Sequence, residues 1–148
     1  MPTAIREVAL AAIATRLTAE VPTATVERSR RSPVDTDTET LPRLVLTGTD
    51  WNADETAEPL IVHYTLGFAV TGYARGISDL ATEQAVTDLH AKVVDALAGW
   101  TPTTANLGQP SEEGADHRLF DADESAKPAG EFTARFSMLV LAPLGNPY

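Results

Sequence analysis

Three kinds of residue in this chain could in principle do chemistry: paired carboxylates, histidines and a short run of arginines. Asp35, Asp37 and Glu39 alternate in DTDTE, and Asp121, Asp123 and Glu124 form DADE, so each stretch starts as a calcium loop starts. Such a loop also needs glycine at its sixth position and a bidentate glutamate at its twelfth, and here the twelfth positions hold Leu46 and Phe132. The histidines, His63, His90 and His117, show no H-x-x-x-H or H-E-x-x-H spacing and read as surface or edge residues. There is no cysteine, hence no disulfide and no thiolate chemistry. No G-x-S-x-G, Walker or G-x-G-x-x-G pattern occurs, and Gly67, Gly72 and Gly76 are not a phosphate loop. The sequence therefore predicts no catalytic, metal or cofactor-binding residues, and no enzyme.

What remains is recognition. Arg28, Arg30 and Arg31 are the one basic knot in a chain of 148 residues with a net charge of −10. The knot serves either surface solubility or a contact. An acidic balance disfavours nonspecific nucleic-acid binding, which requires clustered lysine and arginine against phosphate. Arg6, Glu7, Arg16 and Glu20 interrupt the first twenty residues, so they do not read as a signal peptide, and no span approaches membrane length. The length suits one domain, 1–148, with a core large enough to need no metal or disulfide.

The elements that would position any contact follow from periodicity. Ile5, Val8, Ala9, Ala12, Ile13, Leu17 and Val21 predict an amphipathic helix, capped by Thr3 and ended before Pro22. Residues 23–28 predict a short strand, 29–40 a loop, 41–49 a strand and 50–59 an acidic connection carrying Trp51. Leu60 to Gly76 alternates over an unusual length: Leu60, Val62, Tyr64, Leu66, Phe68 and Val70 form one face, and Ile61, His63, Thr65, Gly67, Ala69 and Thr71 the other. Such a strand outreaches a domain's own core, and an exposed edge along it would require cover from another chain. Ser78 or Asp79 caps a second helix, with the stripe Ala85, Val86, Leu89, Val93, Ala96, Leu97 and Trp100 and with Gly99 as terminator. Residues 101–130 predict a flexible loop that orders on assembly, containing at most a short strand at 117–120. Residues 131–141 form the last strand, and Pro143 to Tyr148 a tail. The expected fold is α+β: a mainly antiparallel sheet with a long central hairpin strand and two amphipathic helices packed on one face.

This order of elements, with LIVHYTLGFAVTGYARG as the long strand, Gly99-Trp-Thr-Pro102 after the second helix and Asn146-Pro147 near the end, resembles the tail terminator proteins of long-tailed bacteriophages. The resemblance implies a virion protein, assembled in the host cytoplasm. It would form a homo-oligomeric ring, usually of six copies, on the head-proximal end of the tail tube, where it ends tube growth and docks the neck proteins. DNA would pass through the acidic ring without specific binding, and no membrane is involved. The candidate contact residues are His63, Thr65, Thr71 and Tyr73 on the outer face of the long strand, together with Arg28, Arg30, Arg31, Trp51 and Tyr148. Two other readings stay open at this point: a neck or tail-completion protein of the same particle, and a small cytosolic ligand-binding or enzymatic domain.

Overall fold

The structure, a computed structural model, describes residues 2–54, 60–121 and 127–148. Helix α1 (Ile5–Glu20) is followed by strands β1 (Thr25–Arg28), β2 (Arg43–Asp54) and β3 (Ile61–Ala74), helix α2 (Asp79–Leu97), and strands β4 (Ser111–Leu119) and β5 (Gly130–Pro143). The sheet order is β1-β2-β3-β5-β4. Only the β1–β2 pair is parallel. Both helices cover one face, so the α+β architecture is the expected one.

Alternation explains which face is covered. Leu66, Phe68 and Val70 of β3 and Phe132, Ala134, Phe136, Met138 and Val140 of β5 point toward the helices and are buried. They meet Ala9, Ile13 and Leu17 of α1 and Val86, Leu89, Val93 and Leu97 of α2. The Phe68 and Phe136 rings stack with centroids 5.3 Å apart at the centre. Burying each such side chain fully is worth about 1.5–3 kcal/mol, which is why these positions and not propensity alone hold the sheet.

The helix ends show where local signals sufficed. Ser78 caps α2, its hydroxyl accepting from the Ala81 N–H at 3.2 Å, and Gly99 leaves the helix with φ +77°. At α1 the cap is Ala4, not Thr3, and no side chain caps the turn. Instead the Ile5 N–H donates to the Pro147 carbonyl at 2.7 Å. A backbone acceptor from the far end of the chain thus satisfies a donor that a first turn leaves open, and it ties the tail down.

Three expectations are corrected. First, β3 has no exposed edge: all 14 of its residues are registered on β5, and β2 flanks its other side. Second, β2 runs on through Asp54, so Asp50 to Asp54 belong to a strand rather than to an acidic connection. A bulge between Gly48 and Trp51 places one extra residue in β2, and Trp51 then lies opposite Leu66 on the helix side. Third, residues 111–119, where the sequence predicts at most a short strand at 117–120, form the edge strand β4 on β5. Its SEEGADHRL sequence carries too few apolar residues for periodicity to reveal it. Both sheet edges are blunted against further pairing, β1 by its four residues and β4 by charge and by a bulge at Gly114.

Candidate interaction surfaces

The sheet face away from the helices divides into two halves. Near the Ala74 end of β3, the loop after β1 folds over it. Arg43 donates to Glu27, Arg30 to Glu27 at 3.1 Å, and Arg30 grips Glu39 with both terminal nitrogens at 2.5 and 2.7 Å. Glu39 also accepts from the Asp35 N–H at 2.6 Å. The Arg30 guanidinium first, and the Asp35 N–H second, hold the Glu39 carboxyl below the usual carboxylate range. DTDTE is therefore a turn that the chain uses to anchor its own loop. Among the described residues no group of three His, Cys, Asp or Glu converges to hold a metal ion; Asp123 and Glu124 lie outside them.

The arginine knot is thereby taken apart. Arg28 points the other way and pairs with Glu7 of α1 through both nitrogens, while Arg31 is exposed. Tyr73 sits half-buried with its ring 6.4 Å from that of Phe120. Its phenol is pushed upward by burial first and by the Glu131 charge second. Tyr73 thus makes part of its contacts within the domain and keeps part of its surface outside.

Toward the Ile61 end the same face is open, small and polar. Thr65 Oγ1 donates to Asp54 at 2.9 Å, and His63 is half-buried beside it with Nε2 lacking a hydrogen-bond partner. Thr71, whose Oγ1 lies 3.3 Å from Thr133 Oγ1, belongs to the Ala74 half, two residues from Tyr73. On the helix side Trp51 stacks on Tyr64, rings 4.5 Å apart and 8° from parallel. Trp51 is therefore part of a rigid aromatic step at the rim of the core. Trp100 packs against the core as the helix stripe predicts, with the Arg16 guanidinium 5.7 Å from its ring centre.

The exposed large apolar side chains collect at opposite ends of the strands. Leu60, which adopts φ +73°, is 73% exposed, and its carbonyl accepts from the N–H of Leu144, itself 66% exposed. Leu139, registered on Thr65, and Tyr148 lie toward this end as well. At the other end Ile77 is 98% exposed, with Leu80 and Leu119 nearby: Leu119 faces Gly130, and Gly130 faces Ala74. With a rise of about 3.3 Å per residue, β3 separates the two groups by roughly 45 Å. Of these only Tyr148 is a candidate from the sequence. Ile77 leaves a signal in hindsight. It precedes the Ser78 cap, where an apolar residue commonly packs on the fourth helical position, but that position is Thr82, so Ile77 has no staple partner.

His90 and His117, remote in sequence, meet. His90 Nδ1 lies 2.9 Å from His117 Nε2, bridging α2 and β4, and the His90 ring stacks on Phe132 at 4.9 Å. The concavities are open and shallow: one of about 440 Å³ between α2 and the start of β2, including Leu41, Ala74, Asp88 and Lys92, and one of about 450 Å³ between α1 and Trp100. Among the described residues no helix is long and apolar enough to cross a membrane.

No family model matches the sequence, and no curated protein matches it. Among solved structures, the fold is similar to a chain of the structure titled "Virion of native gene transfer agent (GTA) particle", with a TM-score of 0.57 and 14% identity. The likeness covers 94% of this chain and 96% of that one, so what the two share is a whole-chain fold.

Proposed function

We propose that this chain is a non-catalytic structural protein of a phage-like virion: a ring subunit, six copies per ring, that closes the head-proximal end of the tail tube and offers a docking surface to the neck. The observation that carries the reading is the whole-length likeness to a virion chain. The segregation of exposed apolar residues to two ends of the subunit supports it, since a terminator must be bound on two sides. Leu60 and Leu144 mark one end, Ile77 and Leu80 the other. Six copies suit a cyclic contact that repeats one heterologous interface until it closes.

Light scattering across concentration, with the protein alone and with the tube subunit of its particle, tests this. A closed ring, alone or on addition of tube, is expected; a monomer or dimer indifferent to tube sinks the proposal. A second test uses the sheet face away from the helices. Thr71 is half-exposed and its partner contact with Thr133 is long, so Thr71→Glu should leave folding within about 1 kcal/mol of the original. Ring assembly should nevertheless fall, because the sheet face away from the helices would then carry a new charge into the contact between copies. Unchanged assembly would move that contact to another surface.

A further inference from the structure

We propose that His90 and His117 form an acid-sensitive latch that holds the edge strand β4 against helix α2. The pair is placed by two elements far apart in sequence, and its one hydrogen bond, at 2.9 Å, joins the helix layer to the outermost strand of the sheet. Two neutral imidazoles share such a bond, one donating and one accepting. A proton on the outer nitrogen of His117, which is exposed, leaves the bond intact, with His90 Nδ1 accepting. A second proton must enter His90 at the accepting atom itself, and a cation cannot accept. His90 is also badly placed to be charged: its Nε2 is buried without a partner and its ring lies on Phe132.

The charged groups around the pair are few. Glu112 of β4 favours protonation of His90; Glu83 of α2 and Arg118 of β4 line the same small concavity as His117; β5 contributes only the neutral Phe132 ring. Burial first, and His117 second, hold His90 below the ordinary histidine value despite Glu112. Released His90 therefore binds more protons than latched His90. The latch is fully effective above about pH 6.5 and is lost as pH falls below it. The ion pairs on the other face of β4, Arg118–Glu131 at 3.1 Å and Arg135–Asp116 at 2.8 Å, contain no histidine and are separate from the latch.

Hydrogen exchange of the whole protein, followed by mass spectrometry at about pH 5 and about pH 7.5 and corrected for intrinsic exchange, reads the latch at residues 111–119. Protection of β4 should fall about tenfold relative to β3 at the lower pH, the factor carried by one ordinary hydrogen bond. His90→Gln, which removes the imidazole whose charging breaks the latch, should abolish the pH dependence, and His63→Gln, at the far end of the other sheet face, should keep it. No pH dependence in the unaltered protein, or its persistence in His90→Gln, overturns the proposal. If the variant does not fold, imidazole nitrogen NMR of the unaltered protein decides. Charging of His90 with no accompanying loss of β4 protection refutes the latch.

Discussion

Gly72→Val destabilises the domain by about 3 kcal/mol, the upper range for forcing extra atoms into a filled core. A Cβ at Gly72 would lie 2.5 Å from Cζ and 3.0 Å from Cδ1 of Phe132, far inside van der Waals contact. Phe132 cannot retreat: it is fully buried, with the His90 ring stacked at 4.9 Å on its other side. Valine would be a good strand residue here by propensity, so the expected loss comes from packing alone. The midpoint of urea unfolding, at unchanged slope, measures it; a shift worth less than about 1 kcal/mol would mean that Phe132 has room to move. Because Phe132 carries His90, the variant should also loosen β4 at neutral pH.

Glu27→Ala should cost about 2–3 kcal/mol. Arg43 is only 9% exposed, and Glu27 is the carboxylate it meets, while Arg30 uses Glu27 and Glu39 together. Removing one partner of a fully buried pair costs about 3–5 kcal/mol, because the remaining charge stays desolvated. Glu27 keeps 30% side-chain exposure and Arg43 also donates to the Thr40 carbonyl at 3.2 Å, and both lower the expected figure. The damage should be local as well as global, with faster tryptic cleavage after Arg31 as the loop lifts from Tyr73. Arg31→Ala, at an exposed side chain, should change stability by less than about 0.5 kcal/mol. If Glu27→Ala is equally mild, the network does not anchor the loop.

Much of the fold was legible because it rests on period and on local caps. The 3.6-residue stripes from Ile5 to Leu17 and from Val86 to Leu97, the two-residue alternation of Leu66, Phe68 and Val70, and the Ser78 and Gly99 signals are properties of neighbouring residues. Those determined two one-sided helices on a mainly antiparallel sheet, and a strand longer than its core. The candidate contacts were less legible. Trp51 read as a loop residue because a one-residue bulge cannot be seen in DWNAD, and Arg28 and Arg30 read as one basic knot because spacing does not show that β1 ends at Arg28 and that the chain turns at Ser29, φ +51°, which sends the two side chains to different partners. Only tertiary structure decided that β3 is paired on both sides, that Pro147 caps α1, and that His90 meets His117 on the far strand. Each of these depends on strand order and on closure between distant segments. The energies that settle them are shared by residues dozens of positions apart, and no window of the sequence contains both partners.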